Sequence, residues 1–393
     1  MAYLDHAATT PMLPQAVDLM SELLGQVGNA SSLHATGRRA RRVVEESRET
    51  VADALGARPS EVVFTSGGTE SDNLALKGLY WTRVAADDRR RKVLVSAVEH
   101  HAVLDSAVWL AEHEGAELVV LPVDASGRLR LDAMRETIAA APHEVALVSV
   151  MWANNEVGTV QPIADLAAIA TEYDVPVHTD GVQALGALEV DFGASGVAAL
   201  TVTGHKVGGP VGVGALIIGR DVDCVPILHG GGQERDVRSG TLDVPGVAAF
   251  ALAVQLAVKE QAERAARLRE LRADLVRRVL EVVPDAQLNG DGSLSEDGRL
   301  PGNAHFSFPG CEGDALLMLL DARGVECSTG SACSAGVARP SHVLLAMGHA
   351  EDRAKSSLRF SLGHSSTAAD VDELIAAIGP AVERARSARR VAS

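Results

Sequence analysis

Seven short apolar runs, separated by helix-forming segments, constrain this chain more than any other feature. They read EVVFTS (61–66), KVLVSAV (92–98), AELVVLPV (116–123), EVALVSVMW (144–152), VPVHTD (175–180), VAALTVT (197–203) and GVGALIIG (212–219). Each is rich in β-branched residues and lacks the strict polar alternation of a strand with one wet face. Helical segments such as ADLAAIATEYD (164–174) lie between most of them. Strands that are apolar on both faces and alternate with helices build a parallel sheet covered on both sides. The expected core is therefore an α/β domain with a mainly parallel seven-stranded sheet and helices on both faces. In such a sheet, ligands sit at the carboxyl ends of the strands.

The remainder reads differently. Residues 1–14, punctuated by Pro11 and Pro14, form an extended arm. A single long helical pattern runs from Val247 to about Val283, the length of a connector between domains. NGDGSLSEDGRLPGN (289–303) is a polar loop; NAHFSFP, GDALLMLLDAR, GVECS and SSLRFSLG then alternate in a smaller α+β unit. Gly379-Pro380 should kink or divide the terminal helix. The expected division is a large domain over 15–255 and a small one built from 1–14 and 256–393.

Composition narrows the function. A formal charge of −16 opposes binding to phosphate backbones and anionic membranes. No apolar run approaches the roughly 18 residues of a membrane span, and the start, MAYLDHAATTPM, lacks a basic then apolar leader pattern. The four cysteines contain no CxxC pair, so neither a zinc site nor a disulfide framework is expected. These readings place the chain in the cytoplasm, with no direct nucleic-acid or membrane partner.

Polar groups recur at the expected strand ends. VPVHTD ends on Asp180, and VAALTVT leads into GHK with Lys206. A carboxylate and an amine so placed could grip opposite sides of one flat heterocycle; an ordinary surface Asp and Lys would read the same. Pyridoxal phosphate needs both groups, an amine for its aldehyde and a carboxylate for its ring nitrogen. SGGTES (66–71) joins a strand to a helix whose first N–H groups suit a phosphate, although a plain helix cap looks similar. VEHHAVL puts His100 and His101, and ANNEVGT puts Asn154, Asn155 and Glu156, at two further strand ends. STGSACSAG (328–336) surrounds Cys333 with Ser, Gly and Ala, the setting of an accessible thiol and not of a buried one. Cys224, Cys311 and Cys327 read as structural. Arg359, inside SLRFSLG, needs a partner, either a ligand carboxylate or a protein one.

These motifs, in this order, resemble the pyridoxal-phosphate-dependent cysteine desulfurases of group I, the IscS/NifS type, within the class-V aminotransferase-like enzymes. YLDHAATT, FTSGGTESDN, VEHHAVL, MWANNEVGTVQPI, HTDGVQALG, TGHKVGGPVGVGAL, HGGGQERDVRSGT, SACSAG and LRFSLG carry the likeness across nearly the whole chain. The resemblance implies the fold-type-I architecture and the conversion of L-cysteine to L-alanine. It implies that Lys206 holds the cofactor aldehyde, Asp180 faces the ring nitrogen, Gln183 bonds the phenolic oxygen and His100 stacks on the ring. Gly68, Thr69, Thr203 and His205 would hold the phosphate, with Thr241 reaching across from the other subunit of a homodimer. Asn155 and Arg359 would bind the substrate carboxylate, and Cys333 would take the sulfur as a persulfide. His100 is expected to carry protons because a histidine ordinarily titrates near working pH. The sulfur would pass to an acceptor protein, an iron–sulfur scaffold or a tRNA-thiolation protein.

Three positions depart from the family pattern: His6 stands for Asn, Thr203 for Ser and Gly68 for Ala. None removes a needed group. A selenocysteine lyase or another fold-type-I enzyme would use Lys206 and Asp180 alike; only the desulfurase requires Cys333.

Overall fold

The computed structural model describes residues 1–292, 298–330 and 340–392, with side chains to residue 388. The strands, in chain order, are β1 (Ala2–Tyr3), β2 (Val62–Thr65), β3 (Lys92–Ser96), β4 (Glu117–Leu121), β5 (Val145–Ser149), β6 (Val177–Asp180), β7 (Ala199–Thr203) and β8 (Gly214–Ile218). They continue with β9 (Gln287–Leu288), β10 (Asn303–Ser307), β11 (Val325–Glu326) and β12 (Ser357–Ser361).

All seven apolar runs are strands of one sheet, in the order β2-β8-β7-β6-β5-β3-β4. β8 alone runs antiparallel to its neighbours β2 and β7. The other six point the same way, so the ends of β2, β3, β5, β6 and β7 open on one edge. Both faces of the sheet are buried except along the edge strand β4, where Glu117 and Val120 are exposed. Phe64, Leu94, Val148, Leu200 and Val202 pack on the side of helices Ala35–Ala54, Ile163–Thr171 and Val244–Lys259. Their neighbours Val63, Val93, Val95, Leu147 and Ala199 pack on the side of Gly68–Ala86 and His101–His113. Apolar residues on both faces are why the runs read as near-continuously apolar, and polar members such as Ser149, His178 and Thr201 are buried with them.

A separate core gathers Ala2 and Leu4 of the arm with Leu268, Leu275, Phe306, Phe360, Leu374 and Ile378. Its three-stranded antiparallel sheet has the order β12-β10-β9, and β1 pairs with β11 in parallel. The arm is thus stitched into the second core and not loose.

One expectation needs correction. The single long helix is two, Val244–Lys259 and Gln261–Val282, parted at Glu260. Hydrogen bonding nearly bridges the break, since Glu260 N–H reaches Leu256 O and Arg264 N–H reaches Glu260 O, each at 3.0 Å. The helical pattern therefore stays continuous in sequence. The break falls where burial passes from the first core, through Ala257, to the second, from Leu268. The terminal helix Ala368–Ala392 is not divided at Gly379-Pro380; Pro380 lies inside it.

Candidate active site

The carboxyl edge of the sheet forms one wall of a cleft enclosing about 1140 Å³, and Ser328, Gly330 and Arg359 of the second unit line the other. Gly68, Thr69, His100, Asn155, Asp180, Gln183, Thr203, His205 and Lys206 all line it. Eleven of the twelve residues singled out in the sequence are therefore judged by position, and ten meet in this one space. Thr241 does not; it is exposed. Cys333 lies outside the described residues.

At one end of the cleft the nineteen-residue helix Gly68–Ala86 begins without a side-chain cap. Its first N–H groups form the positive end of the helix dipole, which favours an anion. Gly67, before it, has φ 140° and ψ −174°, a conformation open essentially to glycine alone. A Cβ at Gly67 would stand 3.6 Å from the Thr203 hydroxyl, in the space between loop and strand.

At the sheet's centre Asp180 ends β6 and is almost fully buried. Its Oδ1 accepts the Val182 N–H at 2.9 Å. Burial pushes its pKa up to about 6, against the hydrogen bond from Val182 and the charge of Lys206, which lower it. Lys206 follows β7 on a short 3₁₀ turn, Gly204–Lys206. Its pKa is lowered to about 8, first by burial and then by the Arg359 charge; Asp180 and Asp5 oppose the shift.

The arm supplies partners for several of these groups. Lys206 Nζ donates to the carbonyls of Ala7 (2.5 Å) and Ala8 (2.6 Å), and Gln183 Nε2 donates to Ala7 O at 2.9 Å. His205 Nδ1 lies 3.3 Å from Thr9 Oγ1. Arg359 Nη2 donates to Asp5 Oδ1 at 2.6 Å and Nη1 to Asn155 O at 2.9 Å. Of the two partners allowed for Arg359, the protein carboxylate is thus present, but Nε is buried with no partner among the described residues.

His100 caps the helix His101–His113, its Nδ1 accepting from Ala102 N at 3.1 Å. Burial, then the Lys206 charge, lowers its pKa to about 4. The expectation that it titrates near working pH is therefore corrected: at neutral pH the ring is uncharged. Cys224 and Cys327 agree with a structural reading, since burial pushes both thiols up to about 12.

Beneath Asp180 lies a buried polar layer that sequence reading passed over. His178 bonds Ser149 Oγ at 2.9 Å and Thr201 Oγ1 at 3.0 Å, with Asp72 Oδ1 at 3.6 Å. Burial raises the pKa of Asp72, helped by the Asp180 charge, and lifts Glu99 to about 8. Periodicity could have found two of these: His178 is two residues before Asp180 on one strand face, and Asp72 is four after Gly68 on one helix face.

The donor set fits pyridoxal phosphate. An uncapped helix terminus with hydroxyls of Thr69 and Thr203 suits the phosphate, a buried carboxylate suits a protonated ring nitrogen, and an amine of lowered pKa suits the aldehyde.

The family model for aminotransferase class-V matches residues 2–374. An IscS-like cysteine desulfurase of Mycobacterium tuberculosis is 59% identical over 393 residues, covering 100% of this chain and 99% of that protein. A cysteine desulfurase IscS of Dictyoglomus turgidum is 42% identical, covering 98% and 95% respectively. Among solved structures, a NifS-like protein superposes with a TM-score of 0.89 at 33% identity, covering 98% of this chain and 100% of its own.

Proposed function

The chain belongs to the class-V aminotransferase family and is a pyridoxal-phosphate-dependent cysteine desulfurase, and from that premise we propose how its own residues share the work. Bound pyridoxal phosphate supplies an aldehyde for the substrate amine and a ring that takes up the electron pair left when the α-carbon loses its proton. Lys206 holds the cofactor, and its lowered pKa leaves a useful fraction of neutral, nucleophilic amine near neutral pH. Asp180, its charge retained against burial by the Val182 N–H and Lys206, keeps the ring nitrogen protonated. Gln183 bonds the phenolic oxygen, and Gly68, Thr69, Thr203 and His205 hold the phosphate. His100, uncharged at working pH, stacks on the ring and can accept a proton. Arg359 and Asn155 hold the substrate carboxylate.

Cys333 then takes the sulfur. Its thiolate attacks the sulfur of L-cysteine; the new S–S bond forms as the substrate C–S bond breaks, and the electron pair left on carbon is protonated to give L-alanine. One L-cysteine and one thiol become one L-alanine and one persulfide, with no external oxidant. Exposed Thr241 completes the cleft of a second copy in a homodimer, and the persulfide passes to an acceptor protein serving iron–sulfur assembly or tRNA thiolation. Among the described residues no helix is long and apolar enough to cross a membrane.

The observation that carries this reading is the convergence of Asp180, Lys206, His100 and Arg359 on one cleft. Its test is Cys333→Ala. Alanine and sulfide formation from L-cysteine should collapse while the visible band of the bound cofactor remains, and Cys224→Ala should match the parent. Turnover retained by Cys333→Ala would refute the persulfide step.

A further inference from the structure

We propose that Asp5 is a positioning residue for substrate recognition: it fixes the Arg359 guanidinium at the wall of the cleft for an α-carboxylate. The inference rests on the reading of Arg359 as the carboxylate-binding residue.

The guanidinium presents its donors in a rigid planar fork, so fixing two nitrogens fixes the direction of the third. Two are fixed here. Nη1 is held by the Asn155 carbonyl at 2.9 Å and Nη2 by Asp5 Oδ1 at 2.6 Å. Nε is buried and lacks a partner among the described residues, in a side chain only 4% exposed. Nη1 and Nη2 each carry a second N–H beyond these two bonds, and these are the donors a guanidinium so held can offer to an incoming carboxylate. Arg359 lines the cleft beside Asn155, Lys206 and Asp180, where a substrate α-carboxylate would arrive.

Both partners are held by backbone before any ligand binds. Arg359 lies in β12, paired with His305 of β10 on one side and bridged to Ser328 on the other. Asp5 forms a parallel bridge to Ser361, two residues along the same strand, and the flanking bonds Ser361 N to Leu4 O (2.7 Å) and His6 N to Ser361 O (3.2 Å) fix its register. The carboxylate thus meets the guanidinium as a consequence of strand geometry. Asp5 also places a negative charge against the cation, so the site is not a general anion trap. A second carboxylate gains from Arg359 only through the N–H groups that Asp5 leaves free.

The holoenzyme of Asp5→Ala, Asp5→Asn, Arg359→Ala and the double variant Asp5→Ala/Arg359→Ala is compared, each first checked for its visible cofactor band. Two quantities are read: KM and kcat for L-cysteine, and the dissociation constant of L-alanine from the spectral change it causes. Asp5→Ala should raise KM and the L-alanine constant about tenfold, the loss of one charge-assisted bond's worth of orientation, with kcat changed far less. Asp5→Asn keeps an oxygen acceptor in place and should stay within about threefold of the parent. In the Arg359→Ala background, removing Asp5 should add nothing further. An Asp5→Ala enzyme with unchanged KM and L-alanine binding overturns the proposal, as does an equal penalty in the Arg359→Ala background. If Arg359→Ala itself leaves both constants unchanged, the underlying reading of Arg359 fails instead.

Discussion

Cofactor-free protein should capture pyridoxal phosphate at a rate that follows the neutral fraction of one amine, that of Lys206. An unperturbed lysine titrates at 10.5, whereas burial and Arg359 bring this one to about 8. The neutral fraction is then about one-tenth at pH 7 and one-half at pH 8, against roughly 0.3% at pH 8 for an ordinary lysine. Capture, followed by growth of the visible band in rapid mixing, should quicken about fivefold from pH 7 to 8 and less than about twofold from 8 to 10. His100 and His205 are uncharged throughout this range, both lowered to about 4. Glu99 also titrates near pH 8, so a second perturbation assigns the midpoint. Arg359 lowers the Lys206 pKa and is not among the causes acting on Glu99. Arg359→Gln should therefore move the midpoint to higher pH. A rate that climbs tenfold per pH unit up to pH 10, or a midpoint unmoved by Arg359→Gln, would refute the reasoning.

Three further outcomes are expected. Gly67→Ala forces a non-glycine residue to φ 140° and should cost about 1–3 kcal/mol in urea unfolding, together with weaker cofactor affinity. Arg48→Met should cost about 3–5 kcal/mol, because it strands Glu234, which is fully buried and bound to Arg48 through two bonds of 2.7 Å; Glu234 also accepts the Phe64 N–H of β2 at 2.8 Å, so the segment leading to Thr241 should loosen as well. Glu99 keeps its proton in the folded protein to about pH 8, while the unfolded chain loses it near 4.5. Its raised pKa therefore contributes stability that is present below about 4.5 and lost as pH rises toward 8. Glu99→Gln should flatten the fall in urea midpoint between pH 5 and 8; an unchanged slope would show that Glu99 is ionised when folded.

The sheet was legible because every strand but the edge strand β4 is buried on both faces, which makes a pattern no amphipathic helix imitates. The strand ends followed, since parallel strands put Asp180, Lys206, His100 and Asn155 on one edge. What was not legible came from contacts between distant segments. Asp5 lies 354 residues from Arg359 and reads as one acid in an extended arm. The break at Glu260 leaves the helical period intact, so only the change of packing partner reveals it. His100 was misjudged on charge because burial and the proximity of Lys206 depend on the fold, not on the sequence around VEHH.

The buried acids sharpen the role of Asp180. After burial, the Asp180 charge raises both Asp72 and Glu99 in a dry interior, and Glu99 adds to the rise at Asp72. Charges crowded in low dielectric cannot all persist, so protons settle on the members with the weakest compensation. Asp72 and Glu99 are fully buried, and among the described residues Asp72 Oδ1 and Glu99 Oε2 have no hydrogen-bond partner. Asp180 alone has both a backbone N–H and the neighbouring Lys206 charge to favour ionisation. Protonation is therefore favoured on Asp72 and Glu99, and Asp180 is the best placed of the three to stay charged. A cationic ring nitrogen would add a further compensation to Asp180, which couples cofactor binding to the charge of that residue.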